Sequence, residues 1–143
     1  MSEATESIAR SAFAQIFAAN PDLRWTENKD DPVEISISLP AQAGLKYDIW
    51  LALQNEDELH FSVGHFWLEW FPCTDLLKAQ AYVDAVCGFI SGECRVVEQF
   101  RGPDCVKATL QRRNGETWQT IGTWSKLRLP SLSVASERTL ANV

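Results

Sequence analysis

The side chains best suited to chemistry gather in one stretch, Leu59 to Phe71, which holds both histidines of the chain, His60 and His65, together with Glu69, and ends at Pro72. A histidine beside a carboxylate can act as general base or metal ligand. His65 with Asp48 or Glu69 is therefore the candidate catalytic grouping. His60 and His65 are five residues apart, so a simple pleat points them to opposite faces, and two ligands on one metal would require a local irregularity. Cys73 follows just beyond, with no base placed beside it, and an unactivated thiol is inert. Cys73, Cys87, Cys94 and Cys105 contain no close pair of the kind that structural zinc sites use. They read as free, mostly buried thiols. No phosphate-binding glycine loop, nucleophile elbow or zinc-protease helix is present. On these grounds a hydrogen-bonded structural role outweighs catalysis for either histidine, and no catalytic residue, metal or cofactor is assigned.

The elements that must position these residues follow from periodicity. Ile8, Ala9, Ala12, Phe13, Ile16 and Phe17 form one helical stripe between Glu3 and Ala19, and Asn20-Pro21 stops it. Val33 to Leu39 and Leu45 to Gln54 alternate as strands, leaving Lys46, Asp48, Trp50 and Gln54 on the outer side. The Leu59 to Phe71 stretch is long for a strand, and strict alternation does not sort it. A β-bulge at Gly64-His65 would shift the alternation by one. Phe61, Val63, Phe66, Leu68 and Trp70 then share an apolar face, and His60, Ser62, Trp67 and Glu69 take the other. Paired with the preceding strand, this places Leu53 opposite Phe61 and Lys46 opposite Glu69. A second helix starts with Thr74 as N-cap and ends at Gly92. Cys94 to Arg101, Cys105 to Arg113 and Glu116 to Ser125 are strands. Asn114-Gly115 makes the tight hairpin between the last two, which puts Arg113 opposite Glu116 and stands Trp118 and Trp124 outside with Lys107.

This order, α-βββ-α-βββ, implies an α+β domain over residues 1 to 130, a single antiparallel sheet of about six strands with two helices packed on one face. Residues 131 to 143 are expected to form a loosely held tail. In topology alone the arrangement resembles the small dimeric secretion-chaperone-like folds. A fold analogy does not carry a function.

Net charge bounds the partners. The chain carries −6, with 12 acids and 4 bases in residues 1 to 71 against 7 acids and 9 bases in residues 72 to 143. That balance excludes a phosphate-gripping basic footprint, so no nucleic-acid partner is expected. No apolar run is long enough to span a membrane, and the amino-terminal residues lack a secretion signal, so a cytoplasmic location is expected. Contiguous exposed aromatics mark interfaces, where tryptophan is enriched among energetic hot spots. The sequence thus points to a non-catalytic protein-binding module of chaperone, adaptor or toxin-neutralising type. It would use a sheet face bearing Trp50, Trp67, Trp118, Trp124 and Lys107 to hold a protein partner, possibly a basic one, or a second copy of itself. A small metal-dependent or His/carboxylate hydrolase is the alternative.

Overall fold

The computed structural model describes residues 3–126 and 136–143. The order is α1 (Glu3–Ala19), β1 (Thr26–Glu27), β2 (Ile35–Leu39), β3 (Ile49–Gln54), β4 (Glu58–Val63), β5 (Phe66–Trp70), α2 (Leu76–Ser91), β6 (Cys94–Arg101), β7 (Asp104–Asn114), β8 (Thr117–Ser125) and β9 (Ser136–Leu140). The class is α+β, but the single six-stranded sheet is corrected to two antiparallel sheets. One has five strands in the order β1-β2-β3-β4-β5, the other four in the order β8-β7-β6-β9.

The division begins at Gly64-His65. These residues do not bulge a long strand; they turn the chain back on itself, with Val63 paired to Phe66 and Ser62 to Trp67. Gly64 takes φ +58°, a left-handed conformation in which glycine pays no steric cost. β5 thereby becomes the last strand of the first sheet, and the chain leaves it into α2. The N-cap of α2 is Asp75, one residue later than the expected Thr74, and its carboxylate accepts from the Leu77 amide at 3.0 Å. Gly92, at φ 88°, closes the helix as expected.

Two registers differ from the sequence reading by an even step. β3 and β4 pair Leu53 with Leu59 and Ile49 with Val63. The β7–β8 hairpin turns at Gly115-Glu116, flanked by the Asn114–Thr117 pair, so that Arg113 faces Trp118. A step of two leaves every side chain on its expected face. A further irregularity breaks this for the far half of β8. Gln111 pairs with Thr120 but Leu110 pairs with Gly122, so Ile121 is the extra residue and the alternation inverts beyond it. Trp124 consequently pairs with Ala108 on the buried side.

One continuous core joins both sheets and both helices. Phe13 of α1 meets Tyr82 of α2 edge-on at 6.3 Å, and Tyr82 and Phe89 in turn pack against Trp70 and Phe61 of the first sheet. Cys94, Val96, Ala108 and Leu110 of the second sheet complete it. The expected loose tail needs correction over residues 136–143. β9 pairs with β6, Leu140 is buried, and the Asn142 amide donates to the carbonyls of Gly44 and Ile90 at 2.9 and 2.7 Å. The remainder of that segment, 131–135, lies outside the described residues. Among the described residues no helix is long and apolar enough to cross a membrane.

Candidate functional site

The face of the first sheet turned away from the helices carries Glu58, His60 and Ser62 on β4 and Trp67 and Glu69 on β5, because the hairpin pairs His60 with Glu69 and Ser62 with Trp67. The Trp67 Nε1–H donates to His60 Nδ1 at 2.7 Å. An indole nitrogen only donates, so Nδ1 must be the unprotonated nitrogen and Nε2 carries the hydrogen, which it gives to Glu58 Oε1 at 3.0 Å. The Asn55 side chain donates to that same oxygen at 3.0 Å. From the helix side the Tyr82 hydroxyl donates to the His60 carbonyl at 2.7 Å, and burial pushes this phenol well above its ordinary range. His60 is only 3% exposed. Both its ring nitrogens are engaged, so no lone pair remains for proton abstraction.

β5 and β8 are edge strands of their respective sheets, and they meet across the junction. Leu68 of β5 presses on Gly122 of β8, where a Cβ atom would come within 2.3 Å of Leu68 Cδ2. Above this contact a cleft of about 590 Å³ opens, lined by Glu58, His60, Trp67 and Glu69 from the first sheet and by Thr123 and Trp124 from the second. Trp67 is 45% exposed, whereas Trp124 is half-buried against the core. Among the described residues, neither lysine nor arginine lines the cleft. Glu69 is exposed and makes no hydrogen bond or ion pair among the described residues.

Of the tryptophans expected to share one face, Trp50 and Trp67 do so on the outer side of the first sheet, in the row Trp50–Ser62–Trp67, whereas Trp118 and Trp124 belong to the second sheet. Trp67 and Trp124 meet at the cleft. Trp50 lies two strands from Trp67 on that face, its ring 6.3 Å from that of His60 and its Nε1–H donated at 2.8 Å to Ser36 Oγ. Trp118 lies on the outer face of the second sheet, with the Arg95 and Arg113 guanidinium carbons 4.0 and 4.7 Å from its ring centroid. Lys107 shares that outer face, since it pairs with Gln99 and Ser125 in the rows that place Arg95 opposite Gln111. Asp48 accepts the Ala41 amide at 2.8 Å and so braces a loop. It borders a larger depression of about 780 Å³ with Lys46 and Arg138. The charges there are already spent, on the Ala41 amide, the Val143 carbonyl and Glu98 respectively.

His65 partners neither Asp48 nor Glu69. It sits in the β4–β5 turn, whereas Glu69 is four residues further along the hairpin, roughly 13 Å at strand rise. Its partner is Glu98, a fully buried carboxylate on β6. The His65 amide and Nδ1–H donate to Glu98 Oε2 at 2.6 and 2.9 Å, and Arg138 of β9 donates to Oε1 from Nε and Nη2 at 2.9 and 2.7 Å. Burial alone would push the Glu98 carboxyl up. The bonds from His65 and the Arg138 guanidinium outweigh it and hold the carboxyl below its usual range. The cluster clamps the turn of one sheet to two strands of the other. Cys105 Sγ also comes within 4.8 Å of the His65 and Glu98 donor atoms, a grouping that could ligate a metal. Burial pushes that thiol up, and its hydrogen points to the Lys107 carbonyl at 3.5 Å. A cation there would have to compete with Arg138 for Glu98.

Glu58 and Glu98 were not singled out from the sequence. Glu98 had a usable signal, a carboxylate at an inward position of the run Cys94, Val96, Glu98, Phe100, where an unpaired charge would not be tolerated. Glu58 had none, because its place beside His60 depends on β4 starting at Glu58 after the three-residue loop 55–57, one residue before the stretch that begins at Leu59. Comparison with protein-family models, curated proteins and solved structures finds no match for this chain.

Proposed function

We propose that this chain is a non-catalytic protein-binding module, of adaptor, chaperone or toxin-neutralising type, whose contact surface is the cleft between β5 and β8 and whose partner brings positive charge to it. The supporting observation is that Trp67 and Trp124 face one cleft with two carboxylates and, among the described residues, no cation lining it. Tryptophans in a pocket with a polar rim are typical binding hot spots, and charge of one sign steers the partner that carries the other. The clamp from Glu98 to the β4–β5 turn at one end of the hairpin, and the Leu68–Gly122 contact below the cleft, hold β5 in place without help from a ligand, so the surface exists before the partner arrives.

Glu69→Lys tests this, because Glu69 is exposed and unbonded and its replacement leaves the fold intact. Wild type and Glu69→Lys are each used as bait under the same salt conditions. The reading expects a partner that wild type retains, that Glu69→Lys loses, and whose association slows with added salt. A partner kept by Glu69→Lys but lost by Trp118→Ser would move the interface to the second sheet's outer face. Sedimentation of the protein alone separates self-association from a foreign partner. The hydrolase alternative is favoured by one grouping, His65, Glu98 and Cys105. Equilibrium dialysis against zinc decides it: tight binding lost in Cys105→Ser would make that cluster a metal centre.

A further inference from the structure

Glu58 and Glu69 are diagonal neighbours on the same sheet face, because Glu69 pairs with His60 two residues along from Glu58. Diagonal positions lie about 7–8 Å apart at the backbone. Glu58 spends one oxygen on His60 and Asn55, and the other has no partner among the described residues. Glu69 has both oxygens free. Two carboxylates at diagonal positions, with no cation beside them among the described residues, favour the approach of one positive group. Indole faces beside them narrow the choice. A guanidinium is planar, stacks on an aromatic ring and presents a fork of donors to carboxylates, whereas an ammonium is a compact and strongly hydrated point charge. This same chain already sets two guanidinium groups over the Trp118 ring, at 4.0 and 4.7 Å. Among the described residues, no guanidinium sits over Trp67 or Trp124.

From these contacts we infer that the cleft is an arginine-side-chain site: the guanidinium of a partner's arginine stacks against Trp67, is flanked by Trp124, and donates to the free oxygens of Glu58 and Glu69. The inference rests on the binding-module reading and specifies what that module grips. His60 has a positioning role. It fixes Trp67 through Nδ1 and Glu58 through Nε2, so the aromatic wall and one carboxylate are held in a single network before the ligand enters.

The test uses the full chain labelled with nitrogen-15 and titrates it with N-acetylarginine methylamide, the lysine equivalent and the uncharged citrulline equivalent, following the tryptophan indole signals. The expected result is a saturable shift of the Trp67 and Trp124 indoles with arginine, at a dissociation constant on the order of 1–10 mM for one isolated side chain. Lysine binds several-fold more weakly and citrulline does not bind. Glu69→Gln weakens arginine binding roughly threefold, the loss of one exposed charge contact, and leaves the melting temperature unchanged. Citrulline matching arginine, or shifts confined to Trp118, would overturn the inference. If arginine fails to shift the cleft while Glu69→Lys still loses its partner, the arginine assignment falls and the module stands. If arginine binds the cleft while partner capture ignores Glu69→Lys, the module reading falls.

Discussion

The β4–β5 turn carries two loads at once, and a pair of alanine substitutions separates them. Gly64 and Gly102 have almost the same φ, +58° and +59°. A left-handed conformation costs a residue with a Cβ about 1–2 kcal/mol at either site. The surroundings differ. At Gly102 an added Cβ meets nothing within 4 Å, but at Gly64 it falls 2.7 Å from Glu98 Oε2 and 2.7 Å from Leu140 Cδ2. Neither neighbour can retreat cheaply. Glu98 is fully buried and bonded on both oxygens, and Leu140 is 1% exposed. Crowding a packed interior adds about 1–3 kcal/mol. Gly102→Ala should therefore lose about 1–2 kcal/mol and Gly64→Ala about 2–5 kcal/mol. At roughly 3–4 °C per kcal/mol for a chain of this size, the two melting points should differ by about 3–12 °C. Thermal and urea unfolding followed by circular dichroism measures both. Equal losses would refute the claim that the turn is wedged against β6 and β9.

Trp118→Ser should cost at most about 1 kcal/mol, since it removes exposed cation–π contacts. Trp124→Ser should cost about 2–4 kcal/mol, because the ring fills space against the core; comparable urea midpoints for the two variants would mean that β8 has no inverting irregularity. Glu98→Gln should lose about 2–4 kcal/mol at neutral pH, since an amide cannot accept from both His65 and Arg138 without turning its own N–H groups toward one of them. The folded Glu98 carboxyl is held below its ordinary 4.5, so its contribution is complete above that value and is lost as pH falls through the folded value. The stability gap between wild type and Glu98→Gln should therefore close as the pH falls from about 5 toward 3; a gap that widens over that range would reverse the assignment.

The sequence by itself determined the two helices, most of the strand-forming segments and the class. Each of these rests on periodicity and end signals that act within a few residues, such as the Ala9, Ala12, Phe13, Ile16 stripe, the Gly92 stop and the alternation of β2. It also sorted the faces of the Leu59 to Phe71 stretch correctly while mistaking its path. A bulge and a two-residue turn at Gly64-His65 both shift the alternation by one, so Phe61, Val63, Phe66, Leu68 and Trp70 come out on the inner face in either case. What separates the two is whether β5 runs on or doubles back, and that is decided by the Glu98 clamp and by Leu140, residues 34 and 76 positions beyond Gly64 in the chain. The same limit separated Trp118 from Trp124. Their spacing predicts a shared face, and only the extra residue at Ile121 turns one inward and leaves the other under its arginines. Local pattern fixes which side of an element is apolar. Which elements meet across a cleft depends on contacts between distant residues, and such contacts leave no periodic trace in a single chain.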